Sequence, residues 1–214
     1  MINIITFMIL SATQFVVSGD TDMVDESYRV RRPITVEIIG YINESLANKF
    51  ASDMEAAHET GQPIILIMIR SYGGSVYSLL SMIDVIKSAK VPVATVVVGK
   101  AMSAGAALLT CGTDGMRWVA PNATIMIHEI SNAVSGKAGA IKANADETSR
   151  LNELMLGIMS ENIGKKRNYL NDIIHSLGHA DWYLTAEEAL KHGIVNHIGV
   201  PEFVVDITVR TRLK

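Results

Sequence analysis

Between residues 36 and 128 the sequence alternates short, β-branched apolar runs with longer amphipathic ones, and few folds accept that rhythm. The runs VEIIGYI (36–42), PIILIMI (63–69), VATVVV (93–98) and ATIMIH (123–128) read as strands, the second fully buried. The stretches between them carry helical spacing. Residues 43–60 open on Asn43 as a cap, and residues 75–89 put Val76, Leu79, Leu80, Ile83 and Ile86 on one face. A third helix is expected after Ser103, where Ala104 to Leu109 is rich in Ala and Leu. Strand and helix in strict alternation predict a parallel sheet with right-handed crossovers.

Past residue 128 the pattern changes. Residues 138–163 read as one long helix, with Leu151, Leu154, Met155, Ile158 and Met159 in an apolar stripe. A helix this long, placed after the sheet, is expected to project and to need a partner for its stripe; burial against its own chain is the alternative. A short helix (185–192) and a strand (194–198) follow. At 214 residues the chain is one domain or one and a half. With 49% apolar and 19% charged residues it is globular, and a net charge of −3 without a basic block argues against a nucleic-acid partner. One cysteine, Cys111, excludes an intrachain disulfide and any CxxC metal site, and is compatible with a reducing compartment. The apolar start has no Lys or Arg ahead of it and is broken by Asn3, Thr6, Ser11, Thr13 and Gln14. It fits neither a secretory signal nor a membrane span, and a strand or hairpin against a partner subunit is expected.

Chemistry in a parallel sheet gathers at the C-terminal ends of the strands. Three features fall there: the paired glycines of RSYGGS (70–75), Ser103, and His128. Ser103 sits at a strand-to-helix junction, close to unpaired N–H groups and a helix dipole, which suits oxyanion chemistry and equally suits a helix cap. Taken together they offer a nucleophile, a base and backbone donors; a serine nucleophile also needs a carboxylate to orient the histidine. Asp146, Asp172, Asp181 and Asp206 are candidates, and spacing does not choose among them. His175 and His179 are four apart with Asp181 near, but Gly178 interrupts the helix and no fourth ligand is evident, so the pair reads as a solvated helix end.

These segments resemble those of the ClpP-type proteolytic subunits, chambered serine peptidases that work with AAA+ unfoldases. The resemblance covers about residues 34–200. GKAMSAGAALLTCG is similar to the nucleophile segment, with Ser103 in the nucleophile position; PNATIMIHE is similar to the histidine segment, with His128; DWYLTAEEALKHGIVNHI is similar to the acid segment, with Asp181 matching the triad acid. SYGGS is similar to the oxyanion segment, which implies Gly74 and Ala104 as its N–H donors. The chain departs from the family at Tyr72, where Pro is usual, at Ala104, where Met is usual, and at Lys100, where an uncharged residue is common.

The resemblance implies an α/β fold of ClpP/crotonase-like repeated β-α-β units with a projecting handle helix at about 138–163. It divides the chain into an axial or pore segment (1–33), a peptidase domain (34–200) and a C-terminal tail (201–214), although residues 1–33 match the typical axial loop poorly. The implied activity is cleavage of peptides and unfolded proteins through an acyl-enzyme, in a cytoplasmic homo-oligomer of two stacked heptameric rings fed by an AAA+ unfoldase. The segment 130–140 resembles the one that pairs across the rings. No metal, cofactor, nucleic acid or membrane is implied. Two other readings compete: a crotonase-fold acyl-CoA hydratase or isomerase, which needs no Ser–His–Asp set, and a non-catalytic ring subunit.

Overall fold

The structure, a computed structural model, describes residues 15–17, 33–202 and 205–207. Its elements run β1 (Phe15–Val17), β2 (Thr35–Ile42), α1 (Glu44–Glu59), β3 (Ile65–Gly74), α2 (Val76–Lys87), β4 (Val93–Met102) and α3 (Ala104–Thr110). They continue with β5 (Arg117–Val119), β6 (Thr124–Ile127), α4 (Ala138–Asn162), α5 (Tyr169–Ser176), β7 (Trp182–Leu184), α6 (Ala186–Lys191), β8 (His197–Ile198) and β9 (Val205–Ile207). The main sheet has the order β2-β3-β4-β5-β8 with every pair parallel. β6 joins β4 in parallel and takes β7 antiparallel on its other side. The expected α/β class is therefore observed. β1 and β9 form a separate parallel pair; the rest of the 1–33 segment up to residue 32, and most of the 201–214 tail, lie outside the described residues.

Each element follows from its residues. β4 buries five residues in succession, Val93 to Val97, because helices or neighbouring strands cover both faces of a central parallel strand. α1 starts on Asn43, whose side chain accepts the Leu46 N–H at 2.9 Å, and buries Ala47, Phe50, Met54 and Ala57 at helical spacing. α2 starts on Ser75 and buries Leu79, Met82, Ile83 and Ile86. Burying side chains of this size stabilises by about 1.5–3 kcal/mol each. α3 is buried along its whole length. Its Ala and Gly content lets it lie directly on β3: a Cβ on Gly105 would come within 3.2 Å of the Ser71 carbonyl oxygen.

Two strands run longer than their apolar runs. β3 continues through the polar Arg70–Tyr72 to Gly74 and β4 through Lys100 to Met102, because ladder pairing with neighbours holds them extended. Elements β5, α5 and β7 are too short, or too polar on one face, to be visible in the apolar pattern. Arg117 on β5 is 2% exposed. Its guanidinium donates to the carbonyls of Ile194, Gly112, Asn162 and Gly193 and to Asp114 Oδ1, tying together loops 76 and 77 residues apart in sequence.

α4 appears at the expected bounds, but its stripe does not need a partner. Leu151, Met155, Leu156 and Met159 are buried in the chain's own structure, and Leu154 and Ile158 are half-buried. The C-terminal half of α4 lies on the core, while residues 138–150 are largely exposed. The stripe thus begins where the helix meets the domain. Among the described residues no helix is long and apolar enough to cross a membrane.

Candidate active site

The site grows out of a fork in the sheet. The first half of β4 pairs with β5 at residues 95–97, and the second half pairs with β6 at residues 100–102. Gly99, at φ +79, sits at the change of partner, where a side chain would be strained. In the second half Met102 lies opposite Met126, so Ser103 and His128 leave adjacent strand ends on the same side. β7 runs antiparallel to β6 with Ile127 opposite Trp182, which brings Asp181 level with His128. Across the other edge of β4, Ser71 lies opposite Ala101, and the Gly73–Gly74 turn arrives beside Ser103. The register of four strands therefore converges on one point.

Ser103 occupies the N-cap position of α3 without capping it: its side chain makes no hydrogen bond to the helix. Its backbone is at φ 53, ψ −121, a conformation that costs a non-glycine residue about 1–3 kcal/mol, and its N–H donates to the Met126 carbonyl at 2.8 Å. Such a sharp strand-to-helix turn exposes a serine hydroxyl at the top of a sheet in α/β-hydrolases, by the same geometry. Ala104, the first residue of α3, has an N–H with no acceptor inside the helix.

His128 Nδ1 stands 3.8 Å from Asp181 Oδ1, the imidazole 22% and the carboxylate 51% exposed. The separation is longer than a hydrogen bond. The other three aspartates are elsewhere. Asp146 is held by Lys142 at 2.9 Å on α4, Asp172 accepts from Asn168 Nδ2 at 2.6 Å on α5, and Asp206 lies on β9.

The paired glycines are required by contact as well as conformation. A Cβ on Gly73, at φ +98, would lie 2.8 Å from both the Met102 carbonyl oxygen and Ser103 Cβ. One on Gly74, at φ +154, would lie 2.8 Å from Ile42 N and C and overlap its carbonyl oxygen. Behind them opens a small pocket of about 40 Å³. Gly74, Ser103, Ala104 and His128 line it on one side, and apolar side chains including Val76, Leu79, Met155 and Met159 on the other. Met155 therefore belongs to this pocket and the core, and a charge placed there would probe both rather than a subunit interface.

The two departures at Tyr72 and Lys100 meet each other. The Lys100 ammonium lies 3.4 Å over the Tyr72 ring, and by hydrogen bonding and charge it holds the phenol below the ordinary tyrosine range. Neither residue stood out in sequence as half of a pair, because they lie on different strands. Beside Glu129, α5 ends at Ser176, and Gly178 and His179 both take left-handed backbone, φ 67 and φ 62. The helix is interrupted at Gly178, yet the His175 and His179 rings still lie 4.7 Å apart, tilted by 48°. Their acidic neighbour is Glu129, the residue after His128, and not Asp181. Sequence reasoning missed Glu129, which is 46 residues upstream of His175 and carries no local signal.

The family model described as Clp protease matches residues 18–202, a span that holds the main sheet, α4, Gly74, Ser103, Ala104, His128 and Asp181. The chain belongs to the Clp protease family and is a ClpP-type peptidase.

Proposed function

We propose that the chain is a serine endopeptidase in which Ser103 is the nucleophile, His128 the general base and acid, and Asp181 the carboxylate that orients the imidazole. The observation that supports this reading is the strand register: Ser103 and His128 leave neighbouring strands and line one pocket, and Asp181, at the start of β7, stands 3.8 Å from His128. Ser103 Oγ attacks the scissile carbonyl as His128 takes its proton. The carbonyl oxygen becomes an oxyanion that receives the N–H groups of Gly74 and Ala104. The C–N bond then breaks, His128 gives its proton to the departing amine, and the acyl group stays on Ser103. Water, deprotonated by His128, attacks the ester, and the second tetrahedral state collapses to the acid and free Ser103.

The reaction needs the 3.8 Å gap between His128 and Asp181 to close by about 1 Å. Substrate-free sites commonly hold such hydrogen bonds long and tighten them on binding. The pocket's Val, Leu and Met lining fits an apolar side chain next to the cleaved bond.

Residues 34–200 form the peptidase domain in this proposal and residues 1–33 the axial segment, with 201–214 as a tail. The subunits assemble as two stacked heptameric rings in the cytoplasm, with the active sites inside. The exposed half of α4, residues 138–150, is the surface offered to the opposite ring. The sequence has no GxxxxGK[ST] phosphate loop, so the energy for unfolding comes from a separate AAA+ partner.

The test is Ser103→Ala. Hydrolysis of a fluorogenic peptide should fall to background, below about one part in 10³ of the parent, and a fluorophosphonate should label the parent at Ser103 and not the variant. Activity retained at more than a few per cent (an order-of-magnitude bound) in a variant of native mass overturns the assignment. So does an inactive, unlabelled parent protein, which would be a non-catalytic ring subunit.

A further inference from the structure

Glu129, His175 and His179 belong to no step of the peptidase chemistry, yet their side chains point at one another. His179 Nδ1 is 3.0 Å from Glu129 Oε2, and His175 Nε2 is 4.0 Å from Glu129 Oε1. One ligand atom from each lies within 4.8 Å of the other two. Two imidazole nitrogens and a carboxylate oxygen are the donor set of many zinc sites that keep water in the fourth position. Zinc bonds of about 2.0–2.2 Å require tetrahedral ligand atoms roughly 3.3 Å apart, so the site contracts by about 1.5 Å at its widest. Both histidines are more than half exposed, and that motion needs only side-chain rotation.

The scaffold beneath the three is fixed. His175 is in the last turn of α5, and His179 is held by its N–H donating to the Ile174 carbonyl at 3.0 Å, the bond that closes a helix C-terminus. Asn152 on α4 steadies Glu129. Its Oδ1 accepts the Ile130 N–H at 3.1 Å, and its Nδ2 donates to Glu129 Oε1 at 3.5 Å. A ligating carboxylate with a hydrogen-bonding partner behind it is the usual arrangement around a bound metal.

We propose that Glu129, His175 and His179 form a binding site for a zinc-class divalent ion, with water completing the coordination. The ion would join the exit of β6 to the turn between α5 and β7. Those are the segments that carry His128 and Asp181, one residue from Glu129 and two from His179. The site is a different set of residues from the triad, and a result on one does not depend on the other.

Zinc chloride titrated into the metal-free full chain, followed by calorimetry and by competition with a chromophoric chelator, should show one saturable site per chain at micromolar zinc, and zinc should raise the thermal midpoint. His175→Ala and His179→Ala should abolish the saturable binding, and Asn152→Ala should weaken it about tenfold. Ser103→Ala and His128→Ala should bind zinc as the parent does. Both histidines are exposed, so their variants should keep the parent's native mass. Absence of saturable binding in the parent overturns the proposal. So does binding that survives His179→Ala or is lost in His128→Ala, since the ion would then sit on the triad histidine.

Discussion

Gly74→Ala puts a single methyl group where the structure has no room for it. The new Cβ would lie 2.8 Å from Ile42 N and C and overlap the Ile42 carbonyl oxygen, which already accepts the Ser75 N–H at 2.8 Å. Backbone on both sides cannot rotate away as a side chain would, so the end of β3 must move from β2 by roughly 1 Å to restore ordinary contact. Conformation adds to the cost, since alanine at φ +154 is strained by about 1–3 kcal/mol. An oxyanion donor displaced by that distance is lost, which lowers kcat by about 10²–10³-fold, or about 3–4 kcal/mol of transition-state stabilisation. KM should change little, because the donor acts on the developing charge and not on the bound substrate. The assay is steady-state hydrolysis of a short fluorogenic peptide, with the rate of fluorophosphonate labelling at Ser103 as a second readout. Gly61→Ala is the matched control. Gly61 is also left-handed, at φ +75, but nothing lies within 4 Å of its would-be Cβ and it sits at the far end of α1. It should lose about 1 kcal/mol of stability and keep its kcat. A Gly74→Ala protein of native mass with kcat within about threefold of the parent would refute the assignment of Gly74 as a donor, given the loss a true donor causes.

Asp181→Asn should reduce kcat by roughly 10³–10⁴-fold, while Asp172→Asn stays within about twofold, since only a carboxylate beside His128 can hold the tautomer that accepts the serine proton; comparable losses in a peptide assay would remove Asp181 from its role. Cys111 caps the end of α3 with Asn162 Nδ2 on its sulfur at 3.4 Å, and burial pushes its thiol up to about 12. At pH 8 the thiolate fraction is then about three orders of magnitude below that of an ordinary cysteine, so alkylation by iodoacetamide, followed by mass spectrometry, should be slower by a similar factor. The sign of the linkage follows: the raised value favours the folded chain at all pH below that of a free thiol, and the advantage is lost as pH rises from about 9 toward 12. Equal alkylation rates for the folded and urea-unfolded chain would contradict it.

Periodicity is a local property, and what it governs was legible in the sequence. The β-branched runs gave strands β2, β3, β4 and β6, the capped amphipathic runs gave α1 and α2, and α4 lies where its spacing put it, with an end differing by one residue. The order of the family's segments was readable too, because it is a property of the chain and needs no folding. Pairing is not local. That β6 takes an antiparallel neighbour, and that Ile127 faces Trp182, depends on contacts between residues 55 apart, and it sets Asp181, the acid the resemblance implied, beside His128 and away from Asp146 and Asp172. The stripe on α4 reads the same whether it meets a partner subunit or its own domain; only the packed chain shows that Leu151, Met155 and Met159 are covered from within. A cap residue and an exposed nucleophile have one sequence signature at Ser103; the structure shows a backbone at φ 53 and no capping bond from its side chain. The same holds for His175 and His179, which local reasoning assigned to solvent. Both lie beside Glu129, a residue whose position relative to them exists only in three dimensions.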